Sequence, residues 1–535
     1  MRPTRRQFLL AAAAGAVGAG ASGCHRRATP AATSGPSTSA PVTAPATTAP
    51  ATTATATAAT TAPSTVAGAA TLDALAARLD GALLRPGTSG WDPTQLLYNP
   101  RFARQAAPQA IARVTSAEQV AQCVRYAAAT GTSLRLRNGG HSYGGWSSGT
   151  GLVLDLQSLN QISVGAGTAT IGAGARLADV YSQLAARGAS IGAGSCPTVG
   201  VTGLTLGGGV GVLSRAYGLT CDQLSAVQLV TADGRLSTVD AQHDPDLFWG
   251  LRGGGGGSLG AVTALTFTTR PAPTIGTFFL QWPLATAPAV LAGWQSWVAA
   301  APRELWSTCK LLVDPGASAR VTVSGSWLGG GPVAAQLTGL LSQLPAPAAS
   351  SSGRGSYASV MLAEAGCSGR DATNCLTSAW TPARRQPFAA SSAILDRALP
   401  EAGIQAIVAA VGQARDVPKL VEGGASFDAL GGAVADVAVD ATAVGWRPAL
   451  ATVQYTATWN YSDAAIDPAP FDNYVRGLRA AAQPWTGDAA YVNYADAAIS
   501  DYASAYWGTN LSKLRDVKRS YDPHNLFAFP QSIPL

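Results

Sequence analysis

Three glycine-rich clusters are the first residues in this chain whose types and spacing could do chemistry. They are Asn138-Gly139-Gly140-His141-Ser142-Tyr143-Gly144-Gly145, Gly203-Leu204-Thr205-Leu206-Gly207-Gly208-Gly209-Val210-Gly211, and Gly253 to Gly257. A diphosphate is held by several backbone N–H groups converging at close range, and a side chain on such a loop blocks the approach. A single loop of this kind serves ordinary turns equally well; three in one segment point to a nucleotide-like cofactor. Gly172-Ala173-Gly174-Ala175-Arg176-Leu177 starts like a dinucleotide fingerprint, but it lacks the third glycine. No clear acidic residue follows about 20 positions on, so the Rossmann reading is set aside.

Of the four histidines, His25, His141, His243 and His524, His141 alone stands in a glycine loop. On its own it could be a turn residue satisfied by hydrogen bonds. His243 and His524 read as surface or turn residues. The seven cysteines include Cys123, Cys221 and Cys309, and a close pair, Cys367 and Cys375. That pair could staple a short loop in an exported protein, or remain two thiols. Neither spacing nor neighbours resemble a metal site, so no metal is expected.

The elements that must position these residues alternate between helix and strand patterns from about residue 110 to 270. Thr71 can cap a helix through Leu72, Leu75, Leu79 and Leu83. Ser116 and Gln119 form a capping-box pattern, Val120, Val124 and Ala127 share a face, and Gly131 can close the helix. Short strand runs follow at 133–137, 151–156 and 169–173, then a helix pattern from Arg176 to Ala186 closed by Gly188. From about 275 to 455 the texture changes to Val/Thr strands, with Trp282, Trp294, Trp297 and Trp306. The predicted class is α+β.

The N-terminus reads as an address. Thr4-Arg5-Arg6-Gln7-Phe8-Leu9 is a twin-arginine pattern, and a short apolar stretch of small residues follows. Residues 1–24 are therefore expected to be a signal peptide of the route that carries already folded proteins. Ala21-Ser22-Gly23-Cys24 resembles a lipobox, although Ala21 stands where Leu is usual. Cys24 would then carry a lipid anchor; plain cleavage is the other reading. Residues 25–70, almost only Ala, Thr, Pro, Ser and Gly after Arg27, cannot bury a core and read as a disordered tether. Apolar residues at 47% and charged residues at 12% exclude a disordered body. No Lys/Arg run interleaved with aromatics supports nucleic-acid binding.

Taken in order, the motifs resemble the FAD-binding domain of the vanillyl-alcohol-oxidase type (PCMH-type), in particular the berberine-bridge-enzyme-like flavoproteins. The resemblance runs through Arg137-Asn138-Gly139-Gly140-His141-Ser142-Tyr143, Cys196-Pro197-Thr198-Val199-Gly200-Val201, Tyr217-Gly218-Leu219-Thr220-Cys221-Asp222 and Leu251-Arg252-Gly253. It resumes at Tyr491-Val492-Asn493-Tyr494-Ala495-Asp496 and Tyr521-Asp522-Pro523-His524-Asn525-Leu526-Phe527. It implies an FAD-binding domain over 71–272, a substrate domain with an antiparallel sheet over 273–489, and a C-terminal segment, 490–535, that completes the FAD site. Ser258-Leu259 replaces the family's usual Asn-Phe, and Leu204 a His common among plant relatives.

The same resemblance assigns roles. His141 and Cys196 are expected to bond covalently to the flavin, the imidazole at its 8-methyl carbon and the thiolate at ring carbon 6. Arg137, Asn138, Gly139, Gly140, Ser142, Gly200, Gly203, Gly207, Gly208, Gly260, Val262, Asn525 and Phe527 are expected around the cofactor. Val199 looks like the choice that admits oxygen, where Leu restricts it. Tyr494 is the expected base, with a lowered pKa supplied by cationic or hydrogen-bonding neighbours; Tyr491 and Asp496 would stand beside it. The implied activity is oxidation of a small alcohol or sugar hydroxyl, by hydride transfer to FAD with O2 as acceptor and H2O2 as product, in the cell envelope or outside the cell. Two alternatives stay open: a dehydrogenase with another acceptor, and a non-catalytic envelope ligand-binding protein.

Overall fold

The computed structural model describes residues 71–102, 107–316, 319–381, 385–463 and 465–535, and these belong to one compact unit. The expected signal peptide, Cys24 and the tether lie outside the described residues. Thr71 caps α1 (Leu72–Arg78), its side chain accepting from the Ala74 N–H. The helix stops short of Leu83, because Asp80 and Gly81 take positive φ. Leu83 instead opens a strand. In α2 (Ala117–Thr130) Ser116 caps the Gln119 N–H and Gly131 closes the helix at φ 67°. The Gln119 side chain reaches back to the N–H of Thr115, one residue before the cap.

Strands β1 (Leu83–Leu84), β2 (Ala110–Arg113), β3 (Leu134–Arg137) and β4 (Leu152–Asp155) form a sheet in the order β1-β2-β4-β3, parallel except for β1. Its apolar residues Ala112, Leu134, Leu152 and Leu154 pack on Val120 and Val124 of α2. Next come β5 (Ile162–Val164), β6 (Thr168–Gly172), β7 (Ala189–Ser190), β8 (Leu224–Val230), β9 (Leu236–Val239) and β10 (Ala261–Thr268). All but β7 build an antiparallel sheet, β5-β6-β10-β8-β9, packed against α3 (Leu177–Ala185) through Leu177, Val180 and Leu184. β7 pairs with the two-residue β11 (Arg270–Pro271).

The third sheet contains β12 (Thr274–Pro283), β13 (Leu305–Val313), β14 (Ala319–Trp327), β15 (Ala349–Ser356), β16 (Phe388–Leu395), β17 (Leu420–Ala429) and β18 (Ala451–Trp459). It is antiparallel throughout, in the order β15-β12-β14-β13-β17-β18-β16. Successive side chains on a strand point to opposite faces. Leu280, Trp282, Cys309, Leu311, Val321, Val323, Phe427 and Val453 therefore share one face, covered by α4 (Ala287–Ala300), α5 (Glu401–Gly412) and α6 (Ala469–Thr486). Trp282 and Trp294 are buried in this core and Trp297 packs against it, so these rings serve the core rather than a sugar; Trp306 alone of the four reaches a cavity. The opposite face is polar, and that cavity opens above it.

The C-terminal segment returns to the first two sheets with α7 (Leu511–Tyr521). Lys518 and Asp522 are completely buried, and the Lys518 Nζ donates to Asp522 Oδ2 at 2.6 Å, to the Ser258 carbonyl at 2.8 Å and to the Phe527 carbonyl at 2.9 Å. One ammonium thus ties the C-terminal motif to the residue that follows the third glycine cluster. The whole is an α+β protein.

Candidate active site

A cavity of about 710 Å³ runs from the glycine clusters to the polar face of the large sheet. Two loops form its inner wall. A Cβ on Gly139 would fall 2.3 Å from the Gly200 nitrogen, and one on Gly200 2.5 Å from the Gly139 nitrogen. Only glycine permits these backbones to touch, and their contact brings the His141 loop beside the Cys196 loop. His141 and Cys196 line the same cavity, Cys196 exposed within it. The His141 Nε2 lies 2.8 Å from the Thr198 hydroxyl, and the ring stacks on Tyr98 with centroids 3.7 Å apart and planes inclined by 19°. Burial, reinforced by the nearby Arg176 cation, pushes the imidazole down to about 3, so it is neutral and carries a lone pair at ordinary pH.

The same wall fits a nucleotide diphosphate. Among the described residues, the N–H groups of Gly139, Gly140, His141 and Ser142 donate to no backbone carbonyl. Gly203 faces Gly256, whose added Cβ would lie 3.5 Å from the Gly203 Cα, and Gly255 and Gly257 take φ of 92° and 84°. Unused amides and a surface without side chains are what an anionic cofactor needs. Asn138, Val199, Gly260 and Val262 also line this end, as do Trp146 and Phe529, whose rings lie 5.6 Å apart.

At the sheet end stands Tyr494. Its ring stacks on Tyr143 and meets Tyr491 edge-on, with centroids 5.3 and 4.9 Å away. The expected lowering of its pKa is reversed: burial drives it well above the usual phenol value, and Asp428 raises it further, followed by Tyr143, Tyr491 and Cys196. Tyr494 therefore rests as a neutral phenol. Asp428 itself is raised by burial and held back by the Lys310 cation. Glu364 is raised too, by burial, against the pull of Lys310.

Asp428, Lys310, Glu364 and Gln454 line the cavity, and motif reasoning missed all four. The signal for three of them was present as alternation. Thr308 and Lys310 interrupt the apolar β13, Ser426 and Asp428 interrupt β17, and Gln454 interrupts β18. Register puts Thr308 opposite Ser324 and Asp428, and Lys310 opposite Thr322 and Ser426. The result is a floor of hydroxyl, amide and charged groups.

Several expected site residues stand behind the lining. Tyr491 is buried, and its hydroxyl accepts from the N–H groups of Gly209 and Val210 and from Asn493 Nδ2; it clamps the second glycine cluster instead of touching a substrate. Gly207 packs against Asn493 and Gly208 against Tyr491, in the same clamp. Asp496 stands outside the cavity lining and accepts from the Ala498 N–H, closing its own turn. Arg137 is fully buried outside the cavity lining and donates to the Thr94 carbonyl. Asn525 is exposed at φ 53°, and Phe527 fills the core beside Val230 and Ala261. Both brace the segment from outside the cavity. Cys367 and Cys375 form a disulfide, and the strap it closes brings Ser368 to the cavity beside Glu364.

Two family models match the chain, an FAD binding domain over residues 108–240 and a berberine and berberine-like segment over residues 490–534. The uncharacterised FAD-linked oxidoreductase YgaK of Bacillus subtilis is 32% identical, over 83% of this chain and 95% of its own. The chitooligosaccharide oxidase of Gibberella zeae is 31% identical, over 84% and 91%. Among solved structures, wild-type BBE-like 1 of Physcomitrella patens superposes with a TM-score of 0.77 at 31% identity, covering 86% of this chain and 99% of its own.

Proposed function

The chain belongs to the berberine-bridge-enzyme-like family of FAD-linked oxidoreductases, and from that premise we propose that it is an exported oxidase of carbohydrate hydroxyls. The observation that carries this reading is the position of Tyr494 and Asp428 at one end of a polar sheet floor, across a single cavity from the glycine cradle. Thr308, Lys310, Thr322, Ser426 and Gln454 offer alternating donors and acceptors to a polyhydroxylated ligand. The name of the similar chitooligosaccharide oxidase supports the same substrate class. His141 and Cys196 hold the cofactor by covalent bonds, and the unused amides of residues 139–142 hold its diphosphate.

Bound FAD supplies the two-electron acceptor for hydride leaving the substrate carbon. The protein supplies the proton chemistry. Tyr494 receives the hydroxyl proton, and because its own phenol is held neutral it must give up a proton in the same event. The neighbouring Asp428 carboxylate is the acceptor, and Lys310 limits the charge that accumulates. Val199 leaves room for O2. The twin-arginine pattern suits this order of events, since the cofactor is captured by a protein that folds before export.

The test is turnover of the purified protein on a panel of aldoses, oligosaccharides and simple alcohols, with H2O2 and oxygen consumption measured together. Peroxide in step with a sugar supports the proposal. Flavin bleaching by sugar that reverses only with a quinone would replace oxidase by dehydrogenase. Failure of any sugar or alcohol to bleach the flavin would move the chain to the non-catalytic binding class.

A further inference from the structure

His141 has two ring nitrogens, and the fold treats them differently. Nε2 sits 2.8 Å from Oγ1 of Thr198, a residue only 1% exposed, and among the described residues Nδ1 makes no hydrogen bond. The ring cannot readily turn over, because it is stacked on Tyr98 and its loop is in backbone contact with the loop that carries Thr198. Thr198 is fixed in the same way: its carbonyl stands 2.7 Å from where a Cβ on Gly139 would be. A neutral imidazole carries one N–H and one lone pair, and which nitrogen has which is set by the hydrogen bond the other makes.

We propose that Thr198 is the positioning residue for flavin attachment: its hydroxyl accepts the Nε2 proton of His141 and so keeps the lone pair, and the new bond, on Nδ1. The proposal rests on the covalent reading given above. In the attachment, the Nδ1–carbon bond replaces one C–H bond of the 8-methyl group. Two electrons and the displaced protons pass to the flavin ring, and O2 removes them as H2O2. With the hydrogen bond reversed, the Nε2 lone pair would be engaged and Nδ1 would carry hydrogen, leaving no free nucleophile; the threonine must therefore act as acceptor.

The experiment uses the full protein in a Cys196→Ser background, where only histidine can hold flavin. Threonine at 198 is compared with Thr198→Val, which keeps the shape, and Thr198→Ser, which keeps the hydroxyl. Three readouts are taken: the fraction of flavin precipitating with protein in acid, the rate of its appearance after FAD is added to flavin-poor protein, and the substituted ring nitrogen in the isolated flavin peptide by NMR. The expected result is Nδ1 linkage at a normal rate with Thr and Ser. For Val the expected result is attachment slowed roughly tenfold, the size of one hydrogen bond expressed as a rate, with Nε2 product appearing. Non-covalent FAD binding and the melting temperature separate this effect from misfolding. Unchanged rate and linkage in Thr198→Val, or Nε2 linkage in the parent, overturns the role of Thr198 alone. A Cys196→Ser parent with all its flavin in the acid supernatant overturns the attachment reading and the proposal with it.

Discussion

Tyr143 holds Tyr494 from one side, ring on ring at 5.3 Å with planes inclined by 19°, and is itself held by a 2.6 Å hydrogen bond from Gln454 to its hydroxyl. Tyr494, the proposed base, is therefore placed by packing of its ring. Tyr494→Phe keeps both ring contacts and removes the proton acceptor. The expected outcome is a kcat lower by about 10²- to 10⁴-fold, with flavin content and melting temperature unchanged. Anaerobic mixing with substrate, followed by flavin absorbance, measures this directly.

The pH dependence should be carried by Asp428. It must be ionised to take the proton from Tyr494, and burial raises its pKa. Activity is thus complete above that raised value and falls as pH drops through it, at a pH above the ordinary carboxylate range of about 4. Asp428→Asn should lower kcat and abolish this acid limb. An identical acid limb in the variant would assign the titration to another group.

Removing Lys518 leaves a fully buried carboxylate without its cation and two carbonyls without their donor. Lys518→Met is expected to cost about 3–5 kcal/mol, read as a lower denaturation midpoint and earlier loss of flavin protection against proteolysis. The double variant Lys518→Met, Asp522→Asn should recover part of that loss.

The strap closed by Cys367 and Cys375 brings Ser368 to the cavity beside Glu364. Cys367→Ser with Cys375→Ser is expected to raise KM several-fold with little change in kcat, and to lower stability by about 2–3 kcal/mol, the loop-closure value for so short a ring. Steady-state kinetics and thermal melting read the two effects separately.

Val199→Leu tests the oxygen route. Reduction by substrate should be unaffected, and the second-order reoxidation by O2 should slow, both followed by stopped-flow absorbance. Equal reoxidation rates would remove Val199 from that role.

The cofactor half of the site was legible because glycine loops announce themselves: Gly139, Gly200, Gly203 and Gly256 are required wherever backbone must meet backbone or phosphate, and the order of motifs around them is specific. The substrate half was much less so. Asp428, Lys310 and Gln454 become neighbours only through the register of β13, β17 and β18, and β13 lies more than 100 residues of chain before the other two. Tyr494 was found by motif, yet the sign of its pKa shift was not, because that depends on which residues surround it. Tyr491, adjacent in the same motif, is turned inward and serves the clamp.

The returning C-terminal segment sets an order in time. Tyr494, Asn493 and Lys518 follow in sequence every loop they complete, so a nascent chain holds its glycine cradle without the clamp or the proposed base until this segment has been made. A chain that stops before this segment therefore has the glycine loops but neither the clamp on them nor the proposed base.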